Sequence, residues 1–339
     1  EVCGSTEKMS GLRGDPPAFC HGPRKKSVMV TVTSPLQSRS KWRRFMLTRG
    51  ERRRLALGLA FVSPWLIGFL VFLAYPIYYS LKLSFTRYTG FGTPISIGFD
   101  NYLRMWSDDV FWQSLVNTLY YTGLTIPLGM VVAMLLALAM NQDVPEIPLY
   151  RAAFYLPSLL PLFAVSFIFI ALLDPRRGIV SRFMQLFGFH PIDWFGDPEF
   201  AKMALVILAQ FGAGQMALIY LAGLKAIPLT LYDAAEIDGA GIWRKFWNVT
   251  IPLMTPVILY NIILGISAGL QVFTQAYIIT NGGPSNSTNF YVFYLYNNAF
   301  RYSQFGYASA MAWILFIISF LLAVLVFKVA SKRVHYEIS

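Results

Sequence analysis

The sequence predicts an all-α membrane protein of six transmembrane helices, and three observations carry that expectation. First, of 339 residues 56% are apolar and only 13% charged, with a mean hydropathy of +0.51, whereas ordinary soluble domains hold about 25% charge. Second, six runs lack any Asp, Glu, Lys or Arg: Leu55–Pro76, Val110–Gln142, Ala152–Leu173, Met203–Leu224, Phe246–Phe300 and Tyr302–Phe327. Each matches or exceeds the roughly 20 helical residues that cross a hydrocarbon layer about 30 Å thick. Third, the net charge of +11 sits at one end, because residues 1–54 carry 13 Lys and Arg against four acids. Such a distribution is a basic tail and not a nucleic-acid-binding face. A soluble enzyme, a nucleic-acid-binding domain and a disulfide scaffold are excluded together.

Residues 1–54 mix Gly, Pro, Ser and charge without an apolar period, which predicts a disordered basic tail. Cys3 and Cys20 lie in it with no metal-ligand spacing. The membrane domain is expected over 55–335. Its first run exceeds the 7–15 residues of a signal-peptide core, so it reads as a retained helix. Lys41, Arg43, Arg44, Arg49, Arg52, Arg53 and Arg54 stand just ahead of that helix and argue for a cytoplasmic N-terminus; six spans then place the C-terminus on the same side. Beyond the tail the cations divide almost evenly between the two sides, so the orientation rests on the first helix. The outer connections, Ile77–Asp109, Asp174–Lys202 and Asn281–Arg301, read as loops with short interfacial helices in which Trp106, Trp112 and Trp194 sit at headgroup level. Pro64, Pro127, Pro157 and Pro161 fall inside spans, where neighbouring helices or water must satisfy the freed carbonyls. The fifth run is too long for one helix, and its embedded part is expected near Leu253–Ile279.

The spans hold no ionisable group to carry a coupling ion, which speaks against an ion-coupled transporter. No nucleophile with a base, no metal-ligand pair and no phosphate-binding G-x-x-x-x-G-K-[ST] loop occurs, so enzymatic chemistry is not expected. The spans do hold neutral polar residues: Asn117, Thr118, Gln210, Gln215, Asn261, Gln271 and Gln275. Gln271 and Gln275 are four apart and are expected on one helix face, with Gly265 and Ala268 near the same stripe. Uncharged amides suit the hydroxyls of a neutral solute. Equally, the amides can glue helices together, and Gly265-Ile-Ser-Ala-Gly269 can be a small-xxx-small packing seam.

The segment 228–252 reads as a short helix, a break and a second short helix. Thr230-x-x-Asp233 has the form of a capping box, which starts the first helix near Leu231 and sets Asp233 in its first turn. Gly239 stops it. Ala234 and Ala235 leave a bare patch on which another protein's backbone can pack closely, and Pro252 closes the segment.

Asp233-Ala234-Ala235-x3-Gly239-x9-Val249-x-Ile251-Pro252 resembles the EAA loop, E-A-A-x3-G-x9-I-x-L-P, of the membrane subunits of binding-protein-dependent ABC importers. The resemblance extends through Gly98-Phe-Asp-Asn-Tyr102, Phe111-Trp112, Asn117-Thr118-Leu119, Arg151-Ala-Ala-Phe-Tyr-Leu-Pro157, Leu221-Ala-Gly-Leu224, Thr280-Asn-Gly-Gly-Pro284 and Tyr307-Ala-Ser-Ala310. Together these look like the carbohydrate-uptake branch, and specifically the first permease subunit of the maltose transporter family. The resemblance implies the type I ABC importer permease fold in a cell membrane. It implies coupling to the ATPase through Asp233, Ala234, Ala235, Gly239 and Pro252. It also implies a second homologous permease, an ATPase dimer that binds ATP and Mg, and an extracytoplasmic solute-binding protein; no cofactor is expected in this chain. Position by position, the family's sugar contacts correspond to Phe211, Gly212, Gln215, Gly265, Ala268, Gly269 and Val272. The implied substrate is an oligosaccharide; a relative carrying glycerol phosphate is the alternative.

Overall fold

The computed structural model describes residues 49–142 and 144–331. The expected tail up to residue 48, with Cys3 and Cys20, and the chain beyond residue 331 lie outside them. Two compact units divide the chain, Glu1–Pro64 and Trp65–Ser339. Helix α1 spans Arg49–Phe69. Its start precedes the expected boundary at residue 55, because Arg and Leu are good helix formers and nothing between Glu51 and Ser63 breaks a helix.

In the second unit a π turn, Leu70–Ala74, leads into α2 (Tyr75–Ser84). A two-stranded antiparallel ribbon follows, β1 (Thr86–Arg87) pairing with β2 (Ile95–Ser96). It is too short to leave a hydropathy signal and was not expected from the sequence. Next comes α3 (Asp100–Trp106), before the longest helix, α4 (Asp109–Met140). Then come α5 (Ile147–Leu159), α6 (Leu162–Leu173), α7 (Ile179–Leu186), α8 (Pro198–Gln210) and α9 (Gly214–Ala226). The loop helices α10 (Leu229–Ile237) and α11 (Ile242–Lys245) run through a π turn into α12 (Ile251–Leu270), and α13 (Tyr291–Tyr296) and α14 (Phe305–Ser331) complete the unit.

Among the described residues four helical stretches are long and apolar enough to cross a bilayer unbroken: Arg53–Ser84, Asp109–Met140, Ile242–Leu270 and Phe305–Ala330. The expected third and fourth spans are instead broken pairs, α5 with α6 bent by 96° and α8 with α9 bent by 49°. Pro161 causes the first break: it lacks an N–H and holds Leu160 extended at ψ 134°. At the second, Gly212 and Gly214 weaken the helix between Gln210 and Ala217. The fifth span also differs from expectation. It starts earlier, at Ile242, and ends at Leu270, so Gln271 and Gln275 do not share a helix face.

Helix α4 is the pillar of the bundle and packs against α5, α8, α9, α12 and α13. One buried cluster joins it to α9 and α12 through Ala133, Ala137, Met140, Ala217, Tyr220 and Met254. A second, at its other end, gathers Phe111, Leu270, Tyr291, Tyr307 and Met311.

That second end is tied by one carboxylate. Asp108 caps α4, its Oδ1 accepting from the Val110 and Phe111 amides at 3.1 and 3.2 Å. Its Oδ2 accepts from the phenols of Tyr294 and Tyr307, both at 2.7 Å. Partial burial pushes the Asp108 carboxyl up, but the two phenols and two amides outweigh it and leave its pKa below the ordinary value. Nearby, the Asn101 side chain donates to the Ser84 and Thr86 carbonyls at 2.8 and 3.0 Å, catching the free end of α2.

The depressed pKa makes this contribution complete above the unfolded value of about 3.9. It is lost as pH falls through the lower folded value. Asp108→Ala removes a cap worth about 1 kcal/mol and hydrogen bonds to a charge worth about 1.5–3 kcal/mol each. The variant is expected to melt at a clearly lower temperature than wild type at pH 7 in a thermal unfolding series in detergent, with the gap narrowing below pH 4. An unchanged melting temperature would show that α4, α13 and α14 hold together at this end without the carboxylate.

Candidate functional site

Three interruptions of helical backbone meet at one cavity: Leu160 between α5 and α6, Phe211-Gly212-Ala213 between α8 and α9, and Gln271-Val272-Phe273 after α12. The cavity encloses about 460 Å³, within the roughly 300–1,000 Å³ of small-molecule sites. All nine pathway positions expected from the sequence line it: Phe211, Gly212, Gln215, Gly265, Ala268, Gly269, Gln271, Val272 and Gln275. Gln210 joins them, its Nε2 donating to the Val206 carbonyl at 2.8 Å. Among the described residues no charged side chain lines the cavity.

The break after Leu270 gives Gln271 and Gln275 different surroundings. Gln271 is exposed at the cavity and donates from Nε2 to Ser267 Oγ at 3.1 Å. Gln275 is only 7% exposed. Aromatic faces complete the lining, with Phe211 set edge-on to Phe169 and Phe273 stacked on Tyr277.

Gly265 and Gly269 serve two purposes. A Cβ at Gly269 would meet Thr122 Cγ2 at 2.8 Å, and one at Gly265 would meet Ile126 Cγ1 at 3.2 Å. The pair is therefore a seam that lets α12 close on α4, as well as open lining. The other intramembrane amides hold the structure together. Asn117 donates to the carbonyls of Asn286 and Asn289 at 2.8 and 3.3 Å, and Thr118 Oγ1 accepts from the Tyr291 amide at 2.8 Å. Both pin the segment 286–291 onto α4. Asn261, buried, donates back to the Val257 carbonyl at 2.9 Å.

At the other end of the bundle lies the α10–α11 loop. Helix α10 starts at Leu229 behind Pro228, not near Leu231 on a Thr230 cap, and Asp233 is consequently beyond its first turn. A prolyl residue has no N–H to leave unpaired and its fixed φ of −60° leads into the helix. The C-terminal end follows expectation. Gly239 takes φ +72°, its amide donates to the Glu236 carbonyl, and the Ala240 amide donates to the Ala235 carbonyl, both at 2.9 Å. This is a Schellman cap, in which the left-handed position favours glycine.

Two further contacts make the loop one body. Lys245 Nζ bridges Glu236 Oε2 at 2.6 Å, and Tyr232 and Thr250 share a hydroxyl hydrogen bond at 2.9 Å. The Lys245 hydrogen bond, reinforced by its charge, holds the Glu236 carboxyl below its usual value. Asp233, Ala234 and Gly239 are exposed and Ala235 half-buried, while Pro252 sits in the first turn of α12. Around them stand Ile237 at 87%, Ile242 at 86% and Trp243 at 76% exposure, an apolar rim of the kind that marks a protein-binding surface.

Comparison with known proteins matches residues 109–335 to the family "Binding-protein-dependent transport system inner membrane component". The probable ABC transporter permease protein YesP of Bacillus subtilis is 38% identical over 86% of this chain and 95% of its own length. The lactose transport system permease protein LacF of Rhizobium radiobacter is 35% identical over 81% of this chain and 94% of its own. The fold matches a bacterial ABC transporter involved in the import of the acidic polysaccharide alginate, with a TM-score of 0.73 at 22% identity over 84% of this chain and 98% of that one. These are transport permeases and not enzymes, and the family removes the ion-coupled alternative. With its apolar spans, this chain is a multi-pass membrane permease and belongs to the inner membrane components of binding-protein-dependent ABC transport systems.

Proposed function

We propose that the chain forms half of the translocation pore of an ATP-driven importer for a neutral oligosaccharide, with the cavity at the three helix breaks as the solute site. One observation carries this reading: amides, small residues and aromatic faces line that cavity without a charge among the described residues. Amides both donate to and accept from hydroxyls, and aromatic faces offer apolar surface to a sugar ring. An anion such as glycerol phosphate would call for Arg or Lys here. The lactose permease relative supports the sugar class.

In this reading the exposed α10–α11 loop is the cytoplasmic dock for a separate ATPase that binds ATP and Mg. Both termini are then cytoplasmic, a second permease completes the pore, and an extracytoplasmic binding protein delivers the sugar. The rigid, apolar-rimmed loop with its bare Ala234 supports docking of another protein at this place. ATP and the closed binding protein drive transport only through differential affinity for the inward- and outward-facing states.

Gln215→Ala and Gln271→Ala are each expected to lower sugar uptake about 3- to 10-fold, the worth of one hydrogen bond of about 0.5–1.5 kcal/mol. ATP hydrolysis stimulated by the binding protein should persist in both. Uptake at the wild-type rate in reconstituted vesicles would return these amides to helix packing.

Gly239→Val should insert normally, because a Cβ there meets nothing within 4 Å. Its left-handed backbone, however, costs a β-branched residue about 1–3 kcal/mol. The variant is expected to lose most stimulated hydrolysis or to lose the ATPase on purification, and Gly239→Asn, which tolerates this conformation, to lose less. Full ATPase retention and stimulation in Gly239→Val would refute the docking role.

A further inference from the structure

Beyond the central cavity, toward the outer loops, the structure holds a second polar cavity of about 520 Å³ lined by Tyr277, Asn281, Tyr296, Asn297, Phe300 and Arg301. The two cavities are joined by a run of ring contacts, stacked between Phe273 and Tyr277 and tilted or edge-on beyond. Phe273, which lines the central cavity, lies 5.4 Å from Tyr277 and 5.1 Å from Tyr296 between ring centroids; Tyr277 and Tyr296 lie 5.7 Å apart, and Tyr296 lies 5.0 Å from Phe300. Tyr277 and Phe300 remain exposed at 47% and 65%. Among the described residues Arg301 makes no ion pair, so its guanidinium is available beside the amides of Asn281 and Asn297.

We infer that this aromatic run and its outer cavity form an extension subsite that binds further sugar units of a chain whose end occupies the central cavity. The inference rests on the oligosaccharide reading above. Its chemistry is that of carbohydrate recognition: flat apolar rings for the faces of pyranose or furanose units, and two amides with a guanidinium for their hydroxyls. A headgroup belt also gathers Tyr and Phe at this depth. Belt residues, however, have no reason to continue ring upon ring to Phe273 at the wall of the central cavity. A solute of one or two units would leave the outer rings unused, so the subsite matters only for longer chains.

The test is uptake by the complete importer in reconstituted vesicles, with malto-, cello-, galacto- and arabino-oligosaccharides of two to six units as probes. Phe300→Ala and Tyr277→Ala are expected to lower uptake of the longer members of the transported series about tenfold, a change of roughly 1.4 kcal/mol, and to leave its disaccharide within about twofold. The conservative variants Tyr277→Phe and Phe300→Trp should restore the longer sugars. Disaccharide uptake doubles as the control for folding and assembly. Equal effects at every chain length, or none, would overturn the extension subsite and assign these rings to the membrane interface. Uptake of no sugar by wild type would overturn the oligosaccharide reading itself, and the subsite with it.

Discussion

A helix interrupted inside a hydrocarbon layer frees amides and carbonyls that lipid cannot satisfy, at a cost of about 2–7 kcal/mol for each unpaired group. Such breaks persist only where protein or water takes up the freed groups. Here three of them fall on one spot. Tight turns recover part of the loss: the amides of Phe211, Gly212 and Ala213 donate to the carbonyls of Leu208, Ala209 and Gln210, and those of Gln271 and Val272 to Ala268 and Gly269. Residues of all three breaks line the cavity. Its location thus coincides with the places where the helical hydrogen-bond ladder is interrupted.

Packing then decides how close the breaks can come. Helix α4 touches a helix at each of them, α5, α8 with α9, and α12, and it admits α12 because Gly265 and Gly269 offer no side chain to Ile126 and Thr122. Gly214 does the same for α5 and α9, since a Cβ there would run into the Phe154 carbonyl. At Gly265 and Gly269, close contact on one face and open volume on another are two results of one omission, the missing Cβ. Packing seam and cavity lining are accordingly the same residues there.

Much of this was legible in the sequence. Six charge-free runs located the membrane segments, and the D-A-A-x3-G spacing located the loop whose Schellman cap at Gly239 the structure contains. The nine pathway positions all reach one cavity. Helix continuity was not legible, because hydropathy registers composition and is blind to direction; Leu160-Pro161 and Phe211-Gly212 bend the chain without adding a charge. For the same reason Gln271 and Gln275, four apart, looked like one face across a break that no polar residue announces. Nor could Asn117 and Thr118 be sorted from Gln215 beforehand, since the partners that claim them lie about 170 residues away, at Asn286 and Tyr291. The Asp108 knot was hidden likewise, its phenol partners being distant in sequence.

The connection between loop and cavity follows from chain order. Helix α9 has 13 residues and runs from the cavity at Gly214 to the loop; α12 has 20 and runs from the loop back to the cavity at Leu270. At a rise of 1.5 Å per residue they are levers of about 20 and 30 Å. They also touch, because a side chain at Gly223 would meet Met254 Sδ at 2.9 Å and Val257 Cγ2 at 3.0 Å. At their loop ends the Glu236–Lys245 bridge, the Tyr232–Thr250 hydrogen bond and the Gly239 cap leave little internal slack. In the importer proposed here, a partner that displaces the loop moves α9 and α12 together, and their cavity ends carry Gln215 and Gln271. A motion at the ATPase then reaches the cavity as a joint shift of those two amides relative to α4, against which both helices pack.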